Sequence, residues 1–165
     1  MTKSKILTPR DSAVEMTQLV LPGDANILGA VFGGTVMAWV DIAGAIAARR
    51  HSRHISVTAS VDALAFVSPM YVGHIANIHA MVNWTGRTSM EVGVRVDGED
   101  PDSGLHYHTL TAYLTYVAID DNRKPVVVPK LTPETPEEIR RFENAVKRRA
   151  SRLELKKQLI QKETE

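Results

Sequence analysis

The stretch from Ala25 to Ala48 contains a single charged residue, Asp41, and it constrains the fold more than any other part of the chain. It approaches the length of a membrane-spanning helix. However, an aspartate near the centre of such a helix costs about 2.5–3.5 kcal/mol on insertion scales, and alanine and glycine contribute little transfer energy. The stretch therefore predicts a buried helix within a soluble domain, beginning near Gly33 or Gly34 and ending about His51.

The composition is typical of one globular domain. The chain has 165 residues, of which 44% are apolar and 24% charged. It contains no cysteine, which excludes a disulfide framework, thiolate zinc sites and thiol nucleophiles, and fits a reducing compartment. Its 20 basic and 19 acidic residues are too balanced for a dedicated nucleic-acid binder. The opening sequence MTKSKILTPR has no apolar core of signal-peptide length, so we expect a cytoplasmic protein.

One alternating segment precedes the helix and four β-type segments follow it. Turn residues separate them, including Ser68-Pro69, Gly86-Arg87 and the polar stretch from Gly98 to Gly104. A long helix followed by a meander of strands predicts an α+β domain in which an antiparallel sheet wraps around the helix. The predicted strands are Ala13–Leu21, Ile55–Phe66, Val72–Trp84, Thr88–Asp97 and Leu105–Ile119.

The C-terminal segment predicts a second helix. Thr135-Pro136-Glu137-Glu138 is a capping box with proline at the first helical position, and the helix should run to Lys157 or beyond. Its excess of basic residues favours a solvated face, with phosphate binding as the alternative. We therefore divide the chain into an extension (1–12), a main domain (13–130) and a charged helical tail (131–165). The apolar stripe of this helix comprises Ile139, Phe142, Val146, Leu153 and Ile160.

Asp41 is the most unusual residue of the central helix. On a helix it shares a face with Met37, Ala38, Gly44 and Ala45, most of which are small enough for another group to approach the backbone closely. A buried carboxylate is expensive unless it is paired or hydrogen-bonded. Two interpretations stay open from the residues alone: a hydrogen-bonded anchor to a strand or a neighbouring subunit, and a catalytic carboxylate.

The pair Gly33-Gly34 opens the predicted helix and leaves unpaired N–H groups at its positive end. Such an end can stabilise an oxyanion or bind a phosphate. A glycine pair is also common in a simple turn or a close packing contact. The pair therefore marks a candidate oxyanion site one to two turns before Asp41.

These residues carry a resemblance to a known family. The stretch LVLPGDANILGAVFGGTVMAWVDIAGAIAARRHS resembles the signature of hotdog-fold acyl-CoA thioesterases of the YciA-like and cytosolic acyl-CoA hydrolase type. The family pattern is an asparagine, a glycine three residues later, Phe-Gly-Gly and a helical aspartate. Further segments, TASVDALAFVSP, GRTSMEVGVRV and LTAYLTYVAID, are similar to later family strands, so the likeness spans about Val14 to Pro129. The matching positions of the signature are Asn26, Gly29, Phe32, Gly33, Gly34 and Asp41.

The resemblance implies a hotdog sheet around a central helix, two such units pairing as a double hotdog, and a site shared by the pair. Asp41 would be the catalytic carboxylate, as general base or nucleophile, facing Asn26 of the other unit. Asn26 would orient the water or the thioester carbonyl, and a backbone N–H near Gly33 or Gly34 would take the oxyanion. Thr58 matches a family threonine near the site.

The resemblance also implies where coenzyme A binds. Arg87, Thr88 and Ser89 match a segment near the coenzyme A moiety, where Arg87 could meet a phosphate, although a plain hairpin turn is the alternative. The expected reaction is hydrolysis of acyl-CoA to free fatty acid and coenzyme A, without a metal or an organic cofactor. The expected assembly is a hexamer of three dimers, with neither nucleic acid nor membrane as a partner.

Two other functions on the same fold stay open. A hydratase or dehydratase of acyl thioesters generally uses a histidine near the central helix, and the only histidine of this helix, His51, lies at its far end. A non-catalytic acyl-CoA binder or regulator usually has a DNA-binding segment before the fold, and the segment before the first strand is too short for a helix-turn-helix. The other histidines considered as metal ligands, His74, His79, His106 and His108, show no strong ligand spacing.

Overall fold

The computed structural model describes residues 7–162, and the side chains of residues 7–159. One five-stranded antiparallel sheet, in the order β1-β3-β4-β5-β2, curls around a long helix. This is the α+β architecture that the sequence predicts. The elements are β1 (Val14–Leu19), α1 (Gly33–Ser52), β2 (Ile55–Phe66), β3 (Ile75–Thr85), β4 (Ser89–Asp100), β5 (Leu105–Ile119) and α2 (Pro136–Lys162).

The predicted central helix is confirmed, whereas some strands begin or end at residues other than those that the sequence predicts. Helix α1 ends at Ser52 and is followed by Arg53 in the left-handed conformation, with φ of 61°. Strand β3 begins at Ile75 and not at Val72, because Gly73 turns the chain there with φ of 90°. Strand β4 continues to Asp100 because its backbone pairs with the start of β5, which outweighs the turn propensity of Gly98.

Helix α1 packs on the concave face of the sheet. Its buried face comprises Val36, Val40, Ala43 and Ala47, all at most 1% exposed. The helical period of about 3.6 residues places these four side chains on one side. They contact inward-facing side chains of the central strands, which include Ile78, Val82, Met90, Val92, Val94, Leu110, Leu114 and Tyr116.

The other face of α1 is open, so in the single chain the helix that the sequence predicts to be buried is covered on one side only. Met37, Ile42 and Ile46 are 45%, 51% and 39% exposed. A helix lying on one face of a sheet can be covered by that sheet on one side only. No helix within residues 7–162 is long and apolar enough to cross a membrane.

Helix α2 lies against the convex face of the sheet. The predicted capping box is confirmed: the backbone N–H of Glu138 donates to Thr135 Oγ1 at 3.2 Å, and the N–H of Thr135 donates to a carboxylate oxygen of Glu138 at 3.0 Å. The division into extension, main domain and tail stays a prediction. Its ends at 1–6 and 163–165, and the Ile160 side chain of the predicted stripe, lie outside the described part of the chain.

Candidate active site

Asp41 lies in the middle of α1, where the helix faces β2 and β5. Its side chain is half-buried, so the deeply buried carboxylate expected from the sequence is only partly enclosed. The hydroxyl of Thr58, on β2, donates a hydrogen bond to Asp41 Oδ1 at 2.6 Å. The structure therefore brings together Asp41 and Thr58, two of the predicted site residues.

A third residue completes this cluster, and sequence reasoning missed it. The phenol of Tyr116, on β5, donates to Asp41 Oδ1 at 2.9 Å and lies 3.0 Å from the backbone carbonyl oxygen of Asp41. Tyr116 is completely buried. Burial, together with the negative charge of Asp41, raises the pKa of the Tyr116 phenol, so it stays protonated and donates. Its inward position in an alternating strand is that of an ordinary core residue, so the pattern gives no functional signal.

A glycine on α1 makes room for the phenol. A Cβ at Gly44 would lie 2.3 Å from the Tyr116 hydroxyl and 3.0 Å from two ring carbons. Such distances are far inside van der Waals contact. The small-residue face around Asp41, which the sequence indicates, therefore receives a tyrosine of the same chain.

An irregularity in β2 lies next to Thr58. Thr58 pairs with Tyr116 of β5, but the next paired residue is Ser60, so Ala59 forms a bulge. A second register shift follows between Val61 and Ala63. Because each one-residue bulge reverses the alternation of side chains, the two together restore the original phase. Thr58 is thus directed to the helix side immediately before the strand changes phase.

Asn26 organises the loop before α1. Its side-chain oxygen accepts hydrogen bonds from the N–H groups of Leu28 at 2.9 Å and Ala30 at 3.3 Å. Gly29, within this turn, has a positive φ of 76°, which favours glycine. The side-chain nitrogen of Asn26 has no partner among the described residues, and the residue is exposed. The amide can therefore donate to a group outside this chain.

The start of α1 offers free backbone donors. The N–H groups of Thr35 and Val36 reach the carbonyl oxygen of Phe32 at 2.9 and 3.3 Å. The N–H groups of Gly33 and Gly34 lie too early in the helix to have an acceptor within it. They also have no acceptor elsewhere in residues 7–162. They lie at the positive end of the helix dipole, as the sequence predicts.

One chain does not bring these donors to Asp41. Gly33 and Asp41 are eight residues apart on α1, which corresponds to about 12 Å along the helix axis. A thioester carbonyl within hydrogen-bond reach of Gly33 therefore cannot also lie beside Asp41 of the same chain. No contact between Asn26 and Asp41 occurs in the described chain either. The predicted catalytic residues therefore form two separate groups on the chain, Asp41 with Thr58 and Asn26 with Gly33 and Gly34.

The predicted coenzyme A segment lies at the tip of the β3–β4 hairpin. The carbonyl oxygens of Arg87 and Thr88 accept the N–H groups of Val128 and Ala118 at 2.9 and 3.1 Å, which fixes the tip to the end of β5 and to the segment that follows it. Ser89 pairs with Val117, the neighbour of Tyr116, so the tip and the Asp41 cluster lie at the same end of the sheet. The guanidinium of Arg87 is exposed and has no ion-pair partner among the side chains of residues 7–159.

The basic face of α2 is not simply solvated, as the sequence favours, because several of its arginines contact the sheet. Arg148 forms an ion pair with Glu91 at 2.6 Å, and Glu91 is only 2% exposed. Arg152 pairs with Asp62 of β2. Arg149 lies 5.0 Å from the Trp84 ring centroid. These contacts dock the tail onto the sheet, because buried carboxylates require a cationic partner.

The histidines form separate pairs. His74 Nδ1 is 2.6 Å from the Tyr107 hydroxyl, and His108 Nδ1 is 3.1 Å from Asp97. His106 and His79 lie near Glu99 and Glu15, at 3.9 and 4.0 Å. Within residues 7–162, no group of three or more histidine, aspartate or glutamate side chains could hold a metal ion.

Comparison with known proteins places this arrangement in a family. The family model for the thioesterase superfamily matches residues 28–104. The uncharacterized acyl-CoA thioester hydrolase YkhA of Bacillus subtilis is 40% identical over 84% of this chain and 81% of its own length. The chain belongs to the thioesterase superfamily. This membership confirms the family resemblance that the sequence predicts.

Solved structures of the superfamily confirm the hotdog fold. A hexameric acyl-CoA thioesterase without ligand has a TM-score of 0.88 and 40% identity, over 91% of this chain and 96% of that one. An acyl-CoA hydrolase of Staphylococcus aureus, in complex with butyryl coenzyme A, coenzyme A and coenzyme A disulfide, has a TM-score of 0.87 and 35% identity, over 98% and 100%. In other structures of that hydrolase, an asparagine, an aspartate or a threonine is replaced by alanine. Their spacing along its chain equals that of Asn26, Asp41 and Thr58 here.

Proposed function

We propose that the protein hydrolyses acyl-CoA to free fatty acid and coenzyme A, with Asp41 as general base or nucleophile. The observation that carries the proposal is the state of the Asp41 carboxylate. Oδ1 accepts the hydroxyl of Thr58, whereas no donor reaches Oδ2 among the described residues. A half-buried carboxylate with one fixed and one open oxygen suits proton abstraction or attack.

Two courses of the reaction use the same geometry. As a base, Asp41 takes a proton from a water molecule while the water oxygen attacks the thioester carbon. As a nucleophile, Oδ2 attacks that carbon to form a mixed anhydride, which water then hydrolyses. In both courses the C–S bond breaks, the thiolate of coenzyme A leaves and takes up a proton, and the acid is released. Neither course requires a metal or an organic cofactor.

The oxyanion in this mechanism is stabilised by a second subunit. The N–H groups of Gly33 and Gly34 and the side-chain amide nitrogen of Asn26 are donors without acceptors among the described residues of their own chain. Asp41 lies about 12 Å further along the helix than Gly33. A pair of chains related by two-fold symmetry lets each chain supply the donors for the other's Asp41. Preorganised donors of this kind contribute about 3–4 kcal/mol to transition-state stabilisation.

The surface that would form such a pair is apolar and adjoins the site. It comprises the open face of α1 and the edge strand β2, whose outer backbone groups have no strand partner among the described residues. An exposed apolar edge strand is a typical pairing surface. We propose that a second copy covers it and that three such dimers form a hexamer, in line with the hexameric relative. Its exposed side chains, 39–52% accessible, are Met37, Ile42, Ile46, Ile55, Val57, Val61 and Phe66.

Coenzyme A binds, in this proposal, across the β3–β4 hairpin tip, where Arg87 meets a phosphate and Thr88 and Ser89 supply hydroxyls. The Arg87 guanidinium, which is exposed and has no ion-pair partner among the side chains that the structure describes, supports this assignment. The cytoplasmic location also remains part of the proposal, because acyl-CoA chemistry and a cysteine-free chain both fit a reducing compartment.

A hydratase on this fold fits the chain less well. The histidine of α1, His51, is completely buried, and its Nε2 donates to the carbonyl oxygen of Pro129 at 2.9 Å. It cannot reach a substrate held near Asp41. The acyl-thioester chemistry therefore centres on the carboxylate.

The test is thioester hydrolysis, followed by thiol release across short, medium and long acyl-CoA substrates. Asp41→Asn preserves size and hydrogen-bond acceptance at one oxygen but removes the charge. We expect kcat to fall by about 10³-fold or more with an unchanged melting temperature. The control is Asp121→Asn, in an exposed loop. Full activity of Asp41→Asn would overturn the role of Asp41. Coenzyme A ester binding without turnover by the wild type would instead make the protein a binding module.

A further inference from the structure

We propose that Tyr116, seated in the notch left by Gly44, is a positioning residue that fixes the orientation of the Asp41 carboxylate for reaction. This inference rests on the proposed catalytic role of Asp41. It adds a completely buried residue of the same chain that acts through the carboxylate.

The phenol is tied to both the backbone and the side chain of one residue. Its oxygen lies 3.0 Å from the carbonyl oxygen of Asp41 and 2.9 Å from Oδ1. The first contact locates the hydroxyl relative to the helix, and the second locates the carboxylate relative to the hydroxyl. A tyrosine that bonded only to Oδ1 could move together with the side chain.

Two donors converge on one oxygen and leave the other open. Thr58 donates to Oδ1 at 2.6 Å, and Tyr116 shares its single proton between Oδ1 and the backbone carbonyl. Because these bonds fix Oδ1, the Asp41 side chain cannot rotate freely, and Oδ2 points in a single direction. Holding a reacting atom in one direction removes the entropy loss that would otherwise occur in the transition state.

Tyr116 has the protonation state that this role requires. Burial and the nearby carboxylate both raise the pKa of its phenol. The group therefore remains a donor throughout the neutral range, and it does not act as a base. Because the phenol is completely buried, water does not replace Asp41 as the acceptor of its hydrogen bond.

Gly44 supplies the space. The Cβ of an alanine there would lie 2.3 Å from the phenol oxygen and 3.0 Å from the neighbouring ring carbons. Because the ring is enclosed by the core, it cannot swing away freely. An alanine would push the hydroxyl from Asp41 or lift the helix from the sheet.

The first experiment compares Tyr116→Phe with the matched control Tyr113→Phe, whose ring lies on the convex face of β5 under Arg148. We expect Tyr116→Phe to lower kcat by about 10- to 100-fold, the value of a hydrogen bond to a charged group, with KM within about two-fold. Tyr113→Phe should leave both kcat and KM unchanged.

A second set of variants separates positioning from general damage. In an Asp41→Asn background, Tyr116→Phe should cause no further loss of kcat, because the two residues act as one unit. Gly44→Ala should lower both kcat and the melting temperature, and its effect on melting should be smaller when Tyr116→Phe has removed the overlapping oxygen.

Either of two results overturns the inference: a stable Tyr116→Phe with wild-type kcat and KM, or losses of kcat that multiply fully with those of Asp41→Asn. Failure of the proposed function is a different result, since wild type would then be inactive or Asp41→Asn active.

Discussion

Thr58 and Tyr116 face each other directly across β2 and β5, and their hydroxyls reach the same oxygen of Asp41. Two strands and the central helix thus meet at one carboxylate oxygen. The bulge at Ala59 immediately after Thr58 increases the local twist of the edge strand where its hydroxyl turns to the helix. This convergence explains why a carboxylate is stable between an apolar helix and a sheet.

The hydroxyl of Thr58 should contribute directly to turnover. Thr58→Val keeps the branched shape of the side chain but removes the donor, and we expect kcat to fall about ten-fold or more. Thr58→Ser retains the hydroxyl and should stay within about three-fold of wild type. Steady-state kinetics with one acyl-CoA substrate checks both variants. A fully active Thr58→Val would show that this hydrogen bond is only structural.

The shared site predicts complementation between two inactive variants. Asn26→Ala and Asp41→Asn each damage every site in a homodimer. A mixed dimer regains one intact site, because Asn26 comes from one chain and Asp41 from the other. Co-expression with random pairing should therefore restore about a quarter of wild-type activity. Purification through two different tags isolates the assemblies that contain both variants. Inactivity of these assemblies, or an active monomer in sedimentation, would contradict a site built from two chains.

Removal of the Arg87 cation should weaken binding of the nucleotide part of the substrate. We expect Arg87→Ala to raise KM for acyl-CoA by about 5- to 30-fold with kcat unchanged, because a charge-assisted hydrogen bond to phosphate is lost in ground state and transition state alike. An acyl thioester of N-acetylcysteamine, which has no phosphate, is the matched substrate. Its KM should be the same for Arg87→Ala and wild type. An equal effect on both substrates would indicate that the hairpin tip has only been distorted.

Docking of α2 should contribute strongly to stability through Arg148. Glu91 is 2% exposed, so Arg148→Ala leaves a buried carboxylate without its cation. We expect the free energy of unfolding to fall by about 3–5 kcal/mol. Arg140 pairs with Glu137 on the surface, where solvent screens the charges, and Arg140→Ala should leave stability almost unchanged. Urea unfolding distinguishes them, and equal small effects would mean that α2 is held by other contacts.

Acid should destabilise the fold through His51. Burial lowers the pKa of this imidazole from 6.5, and its Nδ1 has no partner among the described residues. The unfolded chain therefore binds a proton at higher pH than the folded chain. This contribution to stability is complete above pH about 6.5 and is lost as the pH falls towards the lower folded value.

A variant that lacks the His51 imidazole checks this pH dependence. His51→Gln keeps a donor for the Pro129 carbonyl and cannot be protonated, so its unfolding free energy should vary less between pH 7 and pH 5 than that of wild type. His106→Gln, on the exposed start of β5, is the control and should retain the wild-type dependence. Parallel curves for His51→Gln and wild type would exclude His51 as the source.

Much of the site could be predicted because its signals are local. Asn26, the glycine pair and Asp41 occur within one short segment whose turn, helix start and helix face can be assigned from the sequence. Their assignment to two subunits came only from the family resemblance, and the length of α1 supports it. Tyr116 could not be predicted, because it occupies an inward strand position like any core aromatic and meets Asp41 across 75 residues of sequence.

In the tail, too, local features could be predicted from the sequence and contacts with distant strands could not. Thr135 and Glu138 predict the start of α2 because a capping box satisfies backbone groups within one turn. The partners of Arg148 and Arg152 lie on β4 and β2, so a sequence rich in basic residues could not distinguish docked cations from solvated ones.

The sequence by itself determined the helices, the approximate strands and the candidate carboxylate, since these depend on periodicity and on hydrogen bonds between near neighbours. Tertiary structure alone decided which side chains meet Asp41, where β2 changes phase and which face of α1 stays open. Those features depend on strand register and on the close approach of Gly44 to β5, which are set only when distant segments pack together.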